Sequence, residues 1–133
     1  MIGFVGLSHL GIVSSLVAAS KGQNVIAFDT DGTLCSDLDN GKFPMVEPGL
    51  DELRSMCGSR IRFTDDPKML SECSVIYLSL DVDTDENDRV DLAPLTELID
   101  HIYCWISSSV DLVIMSQVPV GFTRRLATEL NGR

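Results

Sequence analysis

Basic residues are scarce in this chain. Ten lysines and arginines stand against twenty aspartates and glutamates over 133 residues, a formal charge of −10 at pH 7. A surface with that balance repels phosphate backbones and anionic headgroups, so neither nucleic acid nor a membrane surface is an expected partner. Histidine is scarcer still, with only His9 and His101, and the four cysteines Cys35, Cys57, Cys73 and Cys104 form no C-x-x-C pair. A zinc site would need ligands gathered from distant stretches, so no metal is expected, and the thiols read as buried or incidental in a reducing compartment. No apolar run approaches the roughly 20 residues that span a bilayer, and the N-terminus has no basic stretch ahead of an apolar core. The expected location is the cytoplasm. A composition of 44% hydrophobic and 23% charged residues at this length fits one globular domain, without repeats or low-complexity tracts.

What is present is concentrated in residues 1–30, MIGFVGLSHLGIVSSLVAASKGQNVIAFDT. An apolar run at 2–5 opens onto Gly6, Ser8 and Gly11. Helically spaced Leu10, Val13, Leu16 and Val17 follow, then a second apolar run at 25–28 that stops at Asp29. Strand, glycine turn, helix, strand and acid in that order form a dinucleotide-binding βαβ unit. The first glycine makes the tight turn, the last lets helix and strand pack closely, and the helix N-terminus offers N–H groups to a pyrophosphate. Asp29 stands where a carboxylate accepts both ribose hydroxyls, and it favours NAD over NADP because it repels a 2′-phosphate. Ser8 occupies the place of the middle glycine, whose missing Cβ lets the backbone approach the pyrophosphate; its hydroxyl is a candidate phosphate donor. His9 reads as a helix-start residue near the ligand rather than a catalyst. Glycines that merely shape a turn in another doubly wound domain are the competing explanation.

Two rival patterns lie further along. Asp29-Thr30-Asp31-Gly32-Thr33-Leu34 resembles the nucleophile motif of haloacid-dehalogenase-type phosphatases, with Asp29 as phosphoryl acceptor and Asp31 as acid and base. No lysine and paired-acid motif follows Ser116, where that family would need one. Asp81, Asp83, Asp85, Glu86, Asp88 and Asp91 begin like a calcium loop, but Glu86 stands where glycine is needed and Leu92 where a bidentate glutamate belongs. A solvated acidic loop is the expectation there.

The stretch GKFPMVEPGLDEL at 41–53 resembles the G-K-x-P-x-x-E-P-G-L-x-E-L signature of the UDP-glucose/GDP-mannose dehydrogenase family. The likeness runs along the chain. GFVGLSHLG is similar to that family's G-x-G-Y-V-G-L turn, 25–29 to its ribose-binding strand, RFTDD at 62–66 to its third-strand region, and 74–80 to its fourth strand. DENDRVDL at 85–92 resembles the following loop, and SQVPVGFT at 116–123 its S-T-V-P-V-G-T-T. The resemblance implies a Rossmann-type open doubly wound parallel sheet with helices on both faces, forming a single dinucleotide-binding domain over 1–133. It implies NAD as cofactor, and a complete enzyme that oxidises a nucleotide sugar's C6 alcohol to a carboxylate through a cysteine-bound thiohemiacetal and thioester, in polysaccharide biosynthesis. The family's nucleophile and its supporting residues lie in catalytic and C-terminal parts that these residues do not include, so no catalytic residue is assigned and the chain alone is expected to be inactive. Any homodimer would form through those other regions. The implied cofactor contacts are Gly6, Ser8, His9, Leu10, Gly11, Asp29, Asp81 and Gln117.

The departures are also informative. Asp81-Val82-Asp83-Thr84 takes the place of the family's Thr-Pro pair, Gln117 that of a threonine that positions water and cofactor, and Leu34 that of a basic residue. Carboxylates near a pyrophosphate oppose binding by like-charge repulsion. With Ser8, they leave open a non-catalytic relative acting as a sensor or assembly module. Elsewhere, helices are expected at 50–57, 67–72 and 92–106, the second with an acidic cap and an early proline, and buried strands at 74–80 and 110–115.

Overall fold

The computed structural model describes residues 1–84, 86 and 90–132. Asp85, Asn87, Asp88, Arg89 and Arg133 lie outside the described residues, and with the first four part of the calcium-like run and of the 85–92 resemblance. Five strands form one parallel sheet in the order β3-β2-β1-β4-β5. They are β1 (Ile2–Val5), β2 (Val25–Phe28), β3 (Ile61–Thr64), β4 (Val75–Leu78) and β5 (Asp111–Ile114). Central β1 is in register with both neighbours, Ile2 opposite Val25 and Val75, Val5 opposite Phe28 and Leu78.

Alternation along each strand sorts the core into two layers. Phe4, Val25, Ala27, Ile61 and Phe63 face one side, under α1 (His9–Ser20), α2 (Gly32–Asp39) and α3 (Leu50–Cys57). Val5, Ile26, Phe28, Ile76 and Leu78 face the other, under the 3₁₀ turn Pro67–Glu72, α4 (Ala93–Tyr103) and α5 (Phe122–Asn131). Both faces are therefore covered, as the expected doubly wound architecture requires. A 12-residue helix is marginal alone, but Ile12 and Leu16 of α1 are fully buried at roughly 2 kcal/mol each, which holds it on the sheet.

The expected segments recur with trimmed ends: the strands at 74–80 and 110–115 shorten to β4 and β5, and the helix at 92–106 to α4. The 67–72 helix is a 3₁₀ turn, capped by Asp66 accepting from the Lys68 N–H at 3.1 Å, with Pro67 at its first position. Two helices have no counterpart in the sequence expectations. In α2 the first turn looks like a loop of Asp, Gly and Thr, and α5 buries only Phe122 and Leu126. Among the described residues no helix is long and apolar enough to cross a membrane.

Candidate functional site

The chain switches direction between β1 and β4, where connections leave to opposite faces of the sheet. In such folds ligands bind in the crevice outside the carboxyl ends of the strands at that point. The β1–α1 turn forms one wall. Gly6 has φ +89°, and a Cβ there would stand 2.8 Å from Leu80 Cβ and 2.9 Å from its backbone nitrogen. A Cβ on Gly11 would run into the Gly6 carbonyl oxygen and come within 2.8 Å of Ser79 Oγ. Gly6 is therefore demanded by its positive φ and the close approach of the β4 exit, and Gly11 by the close packing of α1 on the β1 turn. The first intrahelical bond runs from the Ile12 N–H to the Ser8 carbonyl at 3.0 Å, leaving the first-turn N–H groups of His9, Leu10 and Gly11 without an acceptor inside the helix.

Asp29 closes the turn from the β2 side. Its Oδ2 accepts from the Leu7 N–H at 2.7 Å and its Oδ1 from the Asp31 N–H at 3.0 Å. Each oxygen keeps a lone pair for a further donor, since a carboxylate has about four acceptor sites. Asp31 caps α2, accepting from the Thr33 and Leu34 N–H groups at 2.9 and 3.1 Å. These bonds employ Asp29 and Asp31 as backbone caps, the work of a turn rather than of a phosphoryl acceptor and its acid-base partner. Beneath them, burial pushes the Cys35 thiol up to about 11, helped by the Asp29, Asp65 and Asp31 carboxylates. The thiol is inert at neutral pH.

Three serines tie the β1, β4 and β5 exits together. Buried Ser79 donates to the Gly6 carbonyl at 3.0 Å. Ser8 donates to the Ser79 carbonyl at 3.0 Å and accepts from the Asp81 N–H at 2.9 Å. Ser116 donates to the Leu80 carbonyl at 2.6 Å, which sets exposed Gln117 at the next position of the rim. The Ser8 hydroxyl, a candidate phosphate donor by sequence, directs its proton to the Ser79 carbonyl in this structure. His9 Nε2 lies 2.7 Å from Glu47 Oε2 in an exposed pair between the start of α1 and the 40–49 loop. Leu10 is half-buried one position further on.

Beside Asp29 a cleft of about 390 Å³ is lined by Thr30, Leu80, Pro94, Glu97, Leu98 and His101. His101 stacks on Phe28 at 6.0 Å between ring centroids. The α4 residues of this cleft and Ser79 were not marked as site residues in the sequence, and Ser116 was marked only as part of a motif. A serine interrupting the apolar run before Leu80 was the one available signal for Ser79. Among the described residues no cluster of His, Cys, Asp or Glu could hold a metal ion. Cys35, Cys57 and Cys73 are buried free thiols and Cys104 is an exposed one.

The model of the UDP-glucose/GDP-mannose dehydrogenase family's NAD-binding domain matches residues 1–132. The chain belongs to that family. It is 31% identical over 124 residues to a UDP-glucose 6-dehydrogenase of Rhizobium meliloti, covering 90% of this chain and 28% of that protein. The solved GDP-mannose dehydrogenase of Pseudomonas aeruginosa superposes with a TM-score of 0.86 at 25% identity, over 99% of this chain and 33% of that one. The UDP-D-ManNAc dehydrogenase of Pyrococcus horikoshii gives a TM-score of 0.88 at 23% identity, over 99% of this chain and 32% of that one, a likeness of fold. The chain thus spans about a third of the length of these relatives. Its family is a family of NAD-dependent nucleotide-sugar dehydrogenases, and this chain corresponds to their NAD-binding domain.

Proposed function

We propose that residues 1–133 form one dinucleotide-binding domain that holds NAD at the carboxyl edge of the sheet. The contacts would come from Gly6, Ser8, His9, Leu10, Gly11, Asp29, Asp81 and Gln117. The observation that carries this is Asp29, locked by two backbone N–H groups at the end of β2 with spare lone pairs beside a cleft of ligand size. The chain's residues fit the adenosine end of the cofactor. Asp29 has acceptors for the ribose hydroxyls, Leu80, Pro94 and Leu98 give the cleft apolar walls, and the first-turn N–H groups of α1 give donors for a phosphate. Bound there, NAD would supply the hydride acceptor for a sugar C6 carbon. In a protein carrying the rest of the family's length, the substrate would be a nucleotide sugar oxidised from alcohol to carboxylate, in the cytoplasm and without nucleic acid or membrane as partner. Any homodimer contact would come from regions outside this chain.

Titration calorimetry with NAD and NADP tests this reading. NAD is expected to bind and NADP to bind at least about tenfold more weakly, since a 2′-phosphate would face Asp29. Asp29→Ala is expected to abolish NAD binding, while alanine at each of Cys35, Cys57, Cys73 and Cys104 leaves it unchanged. Saturable NADP binding with no response to NAD would overturn the reading.

The serine bridge from Ser8 to the β4 exit favours a second reading, a non-catalytic relative serving as sensor or assembly module. Reduction of NAD by a nucleotide sugar, measured on a protein extending beyond Arg133, would rule it out.

A further inference from the structure

The ligand crevice of a doubly wound sheet lies where the connections diverge, here between β1 and β4. In this chain two serine side chains cross that gap, Ser79 beneath it to the Gly6 carbonyl and Ser8 at its mouth. Ser8 reaches from the β1–α1 turn to the β4 exit, donating to the Ser79 carbonyl at 3.0 Å and accepting from the Asp81 N–H at 2.9 Å. A hydroxyl has one proton and two lone pairs. With the proton spent on Ser79 and one lone pair on Asp81, the crevice meets only the second lone pair and the Cβ. Neither suits a diphosphate: the Cβ blocks close approach of the backbone, and a lone pair repels an anionic oxygen. The same bridge holds the Asp81 backbone against the turn. The Asp29 cleft has no such obstruction. Its carboxylate lies at the β2 exit and its apolar walls come from Leu80 at the β4 exit and from Pro94 and Leu98 of α4.

We propose that Ser8 is a latch across the switch-point crevice that divides the cofactor site, so that this chain takes adenosine nucleotides at the Asp29 cleft and gains little from the nicotinamide half of a dinucleotide. This rests on the adenosine-end assignment above and deepens it by naming the half that binds; Ser8 and Asp81, counted above among the contacts, then border the other half and limit what it adds. The latch is a selectivity-determining feature: removing it converts an adenosine-nucleotide site into a dinucleotide site. Glycine at this position restores close approach and frees Asp81. Alanine removes both hydrogen bonds but keeps the Cβ, which separates latch from steric block.

The test is calorimetry on the unaltered 133-residue chain, Ser8→Gly, Ser8→Ala and Asp29→Ala, with AMP and NAD as probes and thermal unfolding recorded for each. In the unaltered chain the two dissociation constants should agree within about threefold, because the second half adds almost no net binding. Ser8→Gly should tighten NAD by at least about tenfold while AMP stays within about twofold, with Ser8→Ala in between. Unchanged AMP affinity in the variants establishes that the cleft is intact even where the melting temperature drops. NAD binding the unaltered chain about ten times more tightly than AMP would overturn the latch alone, as would a Ser8→Gly variant whose NAD to AMP ratio is unchanged. Loss of all response to AMP and NAD in every variant, or binding indifferent to Asp29→Ala, would overturn the cofactor-site reading and the latch with it.

Discussion

The exits of β2 and β4 flank β1 at the same edge of the sheet, each carries an aspartate, and they are built in opposite ways. At the β2 exit the carboxylate is the organising group: Asp29 gathers the Leu7 and Asp31 N–H groups into one turn. At the β4 exit neutral hydroxyls do the joining, Ser79 and Ser8 to the β1 turn and Ser116 to β5, while among the described residues Asp81 takes part through its backbone N–H. An acid held by N–H donors is rigid and can present its remaining lone pairs to a ligand. An acid beside a hydroxyl network adds charge without adding order. Residue type alone therefore says little about which carboxylate can serve a cofactor, and the donors around it say most.

The β1 turn on which both exits lean is the part most easily broken. Gly11→Ala drives a methyl into the Gly6 carbonyl and toward Ser79 Oγ, both parts of the packed edge with nowhere to move. An overpacking cost of about 3 kcal/mol is expected, read as a lower urea midpoint. If the variant unfolds at the parent midpoint, α1 is not pressed on the sheet at this point, and neither exit is braced by it.

The contrast itself is tested by paired substitutions. Asp29→Ala leaves two N–H groups of the turn without their charged acceptor and should cost about 2 kcal/mol. Asp81→Ala keeps the backbone N–H that Ser8 uses and should stay within about 0.5 kcal/mol of the parent. Equal losses in urea unfolding would mean that the two carboxylates play equivalent structural parts.

The difference between the exits also explains what could be read before any coordinates. The β2 exit was legible because its parts lie close along the chain: apolar alternation sets the strands, Gly6 and Gly11 meet a steric need that no other residue meets, and Asp29 ends an apolar run. The parallel sheet and the two-sided core followed from the same pattern and from the family likeness carried by residues 41–53 and 116–123. The β4 exit was not legible. Ser8 and Asp81 are 73 positions apart, and nothing in either neighbourhood says that a hydroxyl will span them. The cleft walls come from α4, whose exposed Pro94, Glu97 and His101 look like any solvated helix face until Phe28 and Leu80 are placed against them. The helix α2 was hidden for a related reason, since Asp31, Gly32 and Thr33 are turn formers until the Asp31 carboxylate caps them.

Cys35 sharpens the comparison with the smallest signal, because its sulfur lies under the β2 exit, 3.8 Å from the Asp29 carbonyl oxygen. If that exit is rigid, the thiol stays protonated and shielded. Burial holds Cys35 and, on the opposite face, Cys73 at about 11, against 9.0 for a free thiol, and raises Cys57 as well. Below pH 9 folded and unfolded chains both keep these protons, so the thiols add no pH dependence there. Between pH 9 and about 11 the unfolded chain releases protons that the folded chain retains, and stability falls as pH rises. Urea midpoints should therefore decline across that window, and the decline should shrink in Cys35→Ala and Cys73→Ala. At pH 8 a disulfide reagent should label one thiol of four rapidly, the exposed Cys104, and the other three only on unfolding. Rapid labelling of Cys35 in the folded chain would mean that the Asp29 turn opens readily, and the contrast between the exits would be lost.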